Sequence, residues 1–243
     1  MRALVGGKAD SLDTSVQHAY NELMLALLAS AVLLQSPNVL SADETKAGWK
    51  LLFDGKTTAG WHNFKREGVA PGWVVKEGVL TSENPDIAGD IVSNEKFDWF
   101  EMTIDYRLTK GGNSGLMYHV ADDGDATWHS GPEIQIYDDQ GAEGAQKSGW
   151  LYQLYESKVD ASHPAGEWNT IRILITPTKC ETSLNGVKYY DYVLGSEDFK
   201  ERVSRSKFAE MPQFGKIAKG SIGIQGDHGV VSFRNIKIRP IKS

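Results

Sequence analysis

The chain of 243 residues contains one cysteine, Cys180. A single thiol excludes an internal disulfide framework and any cysteine-rich zinc site. Cys180 lies in the strand-like stretch KCETSLNG, where a small buried thiol serves packing. Positive charge is also in deficit: 26 Lys and Arg stand against 32 Asp and Glu, for a formal net charge of −6. An extended basic surface for nucleic acid is therefore not expected, which leaves small molecules, neutral sugars or proteins as partners. No glycine-rich phosphate loop precedes a helix, since GKTTAG follows an apolar run but lacks the first glycine at the needed spacing. HExxH is absent. The serine in GGNSGLM has no nucleophile-elbow spacing, which argues against a serine hydrolase. His62, His119, His129, His163 and His228 are scattered, so a metal site can form from them only in three dimensions. No repeat with a period of about 20–50 residues is present.

Long hydrophobic runs are missing too. The longest, Leu23–Leu34 (LMLALLASAVLL), has twelve residues. A bilayer-spanning helix needs about 20. The run instead suits the apolar segment of a secretory signal, with small residues at Ser41 and Ala42 where cleavage can fall. The leading 22 residues are long for the start of a signal and carry Asp10, Asp13 and Glu22 beside Arg2 and Lys8, so Met24 is an alternative start. An amphipathic helix packed on the domain is the competing reading. No cysteine follows the run to carry a lipid anchor. The resulting expectation is a signal-like or disordered segment over residues 1–45 and a single domain over 46–243, exported to the periplasm or beyond, with no stable membrane span once the signal is removed.

What the chain does have is aromatic and alternating. Seven Trp, nine Tyr and eight Phe within a 40% hydrophobic composition can fill a sizeable core. WFEMTIDYRL is the cleanest alternation: Phe100, Met102, Ile104, Tyr106 and Leu108 share one side; Glu101, Thr103, Asp105 and Arg107 share the other. GWVVKEGVLTS reads as two strands turning at Lys76–Gly78, and KCETSLNGVKYYDY as a hairpin folded at Asn185-Gly186. One helix is expected in SEDFKERVSRSKF, with Ser196 as its N-cap. Many strands and almost no helix predict an all-β sandwich. The least regular segment, Gly141 to Gly166, holds Trp150, Tyr152, Tyr155 and His163 and reads as a binding loop.

The polar strand faces supply the candidate chemistry: Asp105 and Arg107 from one strand, His119 from the next, Glu133, Gln135 and Tyr137 from GPEIQIYDD, and Gln225, Asp227 and His228 from IGIQGDHG. Antiparallel sheets are half polar in any case. These faces, however, are poor in Lys and Ser and rich in groups that orient hydroxyls and carbonyls.

In that setting the segments LLFDGKTTAGW, FEMTIDYRLTKGGNSGLMYHV, GPEIQIYDD, AGEWNTIRILI, LNG and GSIGIQGDHGVVSFRNIKIRP, in this order over residues 48 to 241, resemble the domain of unknown function 1080 group, also called the 3-keto-disaccharide hydrolase family. The resemblance implies a two-sheet jelly roll like concanavalin A, with a concave sugar-binding face, in a bacterial exported protein. It also implies cleavage of the glycosidic bond of a 3-keto glycoside or 3-keto-disaccharide, by elimination and hydration or by hydrolysis. A ketone at C3 acidifies the C2 proton, so a base near neutral pKa, an acid for the leaving oxygen and a donor for the enolate suffice. On that basis Glu133 is the expected base, and His119 or His228 the acid or second base. Arg107 and Gln225 would hold the enolate or hydroxyls, joined by Asn113, Gln135 and Tyr137, while Trp128, Trp150 and Tyr152 would stack on sugar faces. No cofactor is required. A divalent ion held by His119, Glu133 and His228 is an option. Many relatives carry an aromatic residue or His where ETSLNG has Thr182 and Ser183, which would alter specificity if those positions touch substrate. Two rivals stand beside this reading: a direct glycosidase using Glu133 with Asp105, and a non-catalytic lectin-like module using the same face.

Overall fold

The computed structural model describes residues 36–138 and 147–242. The apolar run Leu23–Leu34, with the signal-like expectation built on it, lies outside the described residues. Pro37–Ser243 forms one compact unit. Its strands build two antiparallel sheets, as the all-β sandwich expectation requires. The larger sheet runs β11 (Val187–Tyr192), β10 (Cys180–Leu184), β9 (Asn169–Ile175), β6 (Phe100–Leu108), β13 (Val231–Pro240), β4 (Val79–Ser82) and β3 (Trp73–Lys76), with β1 (Lys50–Leu51) also paired to β13. The smaller runs β2 (Trp61–Asn63), β5 (Ile91–Phe97), β12 (Gly220–Ile224), β7 (Asn113–Val120) and β8 (Glu133–Tyr137).

The two hairpins read from turn residues are present. β3 and β4 pair from Trp73↔Ser82 to Lys76↔Val79 across Glu77 and Gly78, both at positive φ (51° and 78°). β10 and β11 close at Asn185 and Gly186 (48° and 79°). Two successive left-handed residues give the turn whose twist matches the flanking strands. The expected helix is α3 (Glu197–Ser204), and Ser196 Oγ accepts from the Phe199 N–H at 3.2 Å. Two further helices, α1 (Ala42–Lys46) and α2 (Pro85–Ala88), and a 3₁₀ turn at Thr127–His129 were not expected. Each is a single turn, too short to leave a 3.6-residue period in the sequence.

The alternation of β6 is realised. Phe100, Met102, Ile104, Tyr106 and Leu108 are all buried in the core. The opposite face of β6 is closed by its own network. Glu101 accepts from Arg172 Nε at 2.6 Å and pairs with Arg239. Asp105 accepts from Thr170 Oγ1 and Asn235 Nδ2, each at 2.7 Å, and from Arg234 Nε at 3.3 Å. The Arg107 guanidinium lies 4.7 Å from the Trp168 ring centre. This corrects the placement of Arg107 and Asp105 on a surface shared with Glu133. β6 and β7 are consecutive, but the connection between them changes sheets. The two polar faces therefore look out from opposite sides of the sandwich.

The packed unit starts at Pro37, ahead of the boundary expected at residue 46. Asn38 fixes it. Its N–H donates to Asn235 Oδ1 at 2.7 Å, its Oδ1 accepts from the Asn235 N–H at 2.9 Å, and its Nδ2 donates to the Gly78 carbonyl at 2.8 Å. Ser41 then caps α1 in a reciprocal box with Glu44. Cleavage between Ser41 and Ala42 would remove both the cap and the Asn38 clamp. Asn38→Ala strips the two side-chain hydrogen bonds, to the Asn235 N–H and the Gly78 carbonyl, from a residue that is 7% exposed. It should cost about 1–3 kcal/mol, read as a lower urea midpoint at unchanged slope.

Candidate active site

β8 turns Ile134 and Ile136 into the core, so Glu133, Gln135 and Tyr137 point outward from the smaller sheet. Its neighbour β7 sends Leu116 and Tyr118 inward, which leaves Asn113, Gly115 and Met117 outward, opposite Tyr137, Gln135 and Glu133 respectively. β12 buries Ile222 and Ile224 and leaves Gly223 and then Gln225 on the same outer face. Part of the expected binding loop lies in residues 139–146, outside the described residues. Its continuation is partly strand-like. The Gln135 N–H donates to the Trp150 carbonyl and the Tyr152 N–H to the Glu133 carbonyl, both at 2.9 Å, around an Ile134↔Leu151 bridge. Leu151 points inward with Ile134, so Trp150 and Tyr152 flank Gln135 and Glu133.

Glu133 lies across the backbone of β7. A Cβ on Gly115 would sit 2.2 Å from Glu133 Oε1, so only glycine leaves room for the carboxylate. The Gln135 amide meets its surroundings with its nitrogen donating to Glu133 Oε1 and to the Ser114 carbonyl, both at 3.1 Å. Glu133 is 7% exposed. Burial pushes its pKa from 4.5 up to about 7; Lys207 and His228 pull it down and Asp90 pushes it up. The group is thus divided between acid and base forms near neutral pH, as a general base requires.

The second carboxyl is Asp90, immediately before β5. Thr127 Oγ1 donates to it, and the Gly226 N–H reaches it at 3.3 Å. Burial raises its pKa, with Asp227 adding to the rise and His228 opposing it. Asp90 lines a cleft of about 380 Å³ with Thr127, Trp128, Gln225, Asp227 and His228. Glu133 lies close enough for Asp90 and His228 to act on its charge. A wider cleft of about 740 Å³, containing His62 and Asn94, adjoins through the shared Phe64 and Arg66. Phe64 and Trp128 pack on a small apolar patch of Val92, Met117 and Val120 on the same outer face. Above Trp128 lies an ammonium. Lys207 Nζ is 4.5 Å from the Trp128 ring centre, 4.4 Å from Tyr152 and 5.2 Å from Phe208.

Glu133, Gln135, Gln225, Trp128 and His228 are therefore brought to one region. His228 stands exposed at the cleft mouth, its Nδ1 paired with Asp227. Asn113 and Tyr137 share the face but face each other at the far end of the β7–β8 pair. Trp150 lines a separate hollow with Glu156 and Arg202. His119 is displaced. A bulge between β7 and β12, where Ser221↔Val120 and Gly223↔Met117 leave one extra residue on β7, puts His119 at φ 55°. Its ring turns in against Trp99, Phe100 and Tyr118, and Nε2 reaches the Asp98 carbonyl at 2.7 Å. At 1% exposure, with burial lowering its pKa, His119 stays neutral and away from Glu133. The set His119, Glu133 and His228 is consequently not assembled for a metal ion. Among the described residues no three His, Cys, Asp or Glu side chains come together for one. Thr182 and Ser183 sit buried in the larger sheet, outside both clefts, and Cys180 is core. Asp90, Gly115 and Lys207 were not found from sequence. Asp90 precedes its strand instead of alternating within it, and Lys207 follows α3, so neither carries a periodic signal. Gly115 had a signal in NSGLM, a glycine inside a strand pattern.

Residues 48–239 match the 3-keto-alpha-glucoside-1,2-lyase-like domain. A 3-keto-disaccharide hydrolase of Bacteroides thetaiotaomicron is 27% identical over 228 residues, covering 79% of this chain and 78% of that protein. A solved structure from Parabacteroides distasonis, provisionally described as a glycosyl hydrolase, superposes with a TM-score of 0.78 at 32% identity, over 85% of this chain and all (100%) of that one. A Bacillus subtilis protein of unknown function with a galectin-like fold shares the fold alone, at 14% identity and a TM-score of 0.50 over 84% of this chain and 93% of the other. The family match takes in both sheets, the glycine beneath Glu133 and both carboxyls of the site. On that match the chain belongs to the 3-keto-alpha-glucoside-1,2-lyase-like domain family.

Proposed function

We propose that this carbohydrate-active protein cleaves the glycosidic bond of 3-keto glycosides, with Glu133 as the base. The observation that carries the reading is a buried, outward-facing carboxylate held near neutral pKa over Gly115, beside a second carboxyl whose pKa is also raised. Glu133 takes the C2 proton, and the C–H electron pair forms the enolate toward O3. Collapse of the enolate breaks the C1–O bond. Asp90 in its acid form, or His228, gives a proton to the leaving oxygen. Water then adds at C1 of the resulting enone, its proton passing to the group that protonated the leaving oxygen, and C2 regains its proton from Glu133. The net reaction is hydrolysis, with no covalent intermediate and no oxocarbenium ion. The names of the family and of the Bacteroides relative support the 3-keto substrate.

A lectin-like module on the same face is the reading from another class. Two carboxyls held above their ordinary pKa cost folding energy without helping a binding surface, which favours catalysis. The direct-glycosidase pair of Glu133 with Asp105 loses its basis, because the two residues belong to different sheets. We further read the protein as exported, on the apolar run Leu23–Leu34, with processing upstream of Asn38.

Incubation of the purified protein with a 3-keto-glucoside and with the parent glucoside, with and without chelator, should release the aglycone from the keto compound only. Glu133→Gln should abolish that release. Sugar binding without turnover of either compound would leave the lectin reading. The pH profile of kcat/KM should show an acid limb near 7, because only ionised Glu133 removes the C2 proton.

Stability gives a substrate-free check on the same group. Folding raises Glu133 above its ordinary value of 4.5, so the folded chain holds that proton more tightly than the unfolded chain. The resulting stability is complete below pH 4.5 and is lost as pH rises through about 7. Glu133→Gln should therefore stabilise the protein at pH 8, by on the order of 2–3 kcal/mol. Thermal unfolding at pH 4 should show little of this gain.

A further inference from the structure

We propose that Lys207 is the group that receives the substrate's C3 carbonyl oxygen and donates to it as the enolate forms, an inference that rests on the function proposed above. Lys207 follows α3 in the chain and belongs to neither sheet, and its backbone N–H is tied to Gln153 Oε1 at 3.0 Å. The side chain crosses to the outer face of the smaller sheet, where its ammonium lies over Trp128, Tyr152 and Phe208. Each of the two nearer rings sits on a segment that is bonded to one of the site's two acidic residues. Trp128 follows Thr127, which donates to Asp90. Tyr152 sits across from Glu133 through its N–H bond to the Glu133 carbonyl at 2.9 Å. Lys207 thus bridges the two walls of the site.

Among the described residues no carboxylate makes an ion pair with Lys207. Aromatic faces attract the cation without using its N–H donors as a carboxylate would. An ammonium with three donors and an exposed position is free to meet an incoming acceptor. The nearby rings strip part of its hydration and lower its pKa, while Glu133 raises it. O3 is bonded to C3, the atom next to C2, so a base at C2 and a donor at O3 must come from adjacent positions. Lys207 Nζ lies 4.4 Å from the ring centre of Tyr152, whose N–H bonds the Glu133 carbonyl at 2.9 Å, and each group acts on the other's charge. Proton removal moves negative charge from the Glu133 carboxylate to O3, toward the fixed cation. This gain exists only in the transition state and the enolate.

The same geometry changes the expected role of Trp128 and Tyr152. Their faces carry an ammonium, so a plain stacked sugar would have to displace it. The rings serve as a seat for the cation, and the ligand class they select is one with an acceptor oxygen at C3.

Lys207→Met should lower kcat on the 3-keto-glucoside by about 10²–10³-fold. It should also move the acid limb to higher pH, because Glu133 loses the cation that lowers its pKa. Lys207→Arg should restore part of both. Calorimetry in the inert Glu133→Gln background is the second measurement. There the 3-keto-glucoside should bind about tenfold or more tightly than the parent glucoside, and adding Lys207→Met should erase the preference. A Lys207→Met enzyme with unchanged kcat and acid limb would overturn the assignment, as would an undiminished keto preference in the double variant. Failure of the wild type to turn over either glycoside would defeat the proposed function, while the binding comparison would still decide the role of Lys207.

Discussion

The site depends on one close approach: the Glu133 carboxylate lies against the backbone of β7 where Gly115 offers no Cβ. A carboxylate on the outer face of an antiparallel sheet normally reaches into water and keeps an ordinary pKa. Here the missing side chain lets it lie flat, with the Gln135 amide donating to it and the Trp150–Tyr152 segment paired alongside β8. Burial follows from that geometry, and the raised pKa follows from burial. Any side chain at 115 would push Glu133 out, hydrate it and return it to the range where a carboxylate is a weak base at neutral pH.

The two outer faces of the sandwich treat similar residue types in opposite ways. On the larger sheet, Glu101 and Asp105 are met by Arg172, Arg239, Arg234, Thr170 and Asn235. Those carboxylates are matched by donors, and that face is structural. It also carries the Asn38 clamp, because Asn235 bonds Asn38 and Asp105 together. On the smaller sheet, Glu133 and Asp90 have fewer partners than their charge calls for, and Lys207 rests on rings instead of a counter-ion. Electrostatic demand left unmet in a cleft is available to a ligand. The matched face holds the fold that keeps the unmatched groups of the other face in place.

Strand alternation was legible wherever one face met the core: β6, β8 and the two hairpins came directly from period and turn residues. So did the shared outward face of Glu133, Gln135 and Tyr137. Sheet membership was not legible. Nothing in the Gly-Gly turn after β6 says that β7 joins the other sheet, so Arg107 was grouped with residues a sandwich thickness away. A bulge is likewise silent in sequence. His119 sits in an ordinary alternating stretch, and only a left-handed residue within the strand turns it inward. Asp90 and Lys207 belong to no periodic run, and only the tertiary fold places them near Glu133.

The arrangement also explains why so few groups can suffice. A glycosidase working through an oxocarbenium ion needs two carboxyls set across the sugar with a water or nucleophile between them. In the reaction proposed above, the ketone at C3 supplies the acidity, and the protein has only to remove one proton and receive the displaced charge. A single neutral-pKa carboxylate does the first, and a cation seated on aromatic rings does the second. A lone base at this position would form an enolate whose charge met no cation in the cleft. The positive group on Trp128 and Tyr152 is therefore the physical complement that a buried Glu133 beside Asp90 requires.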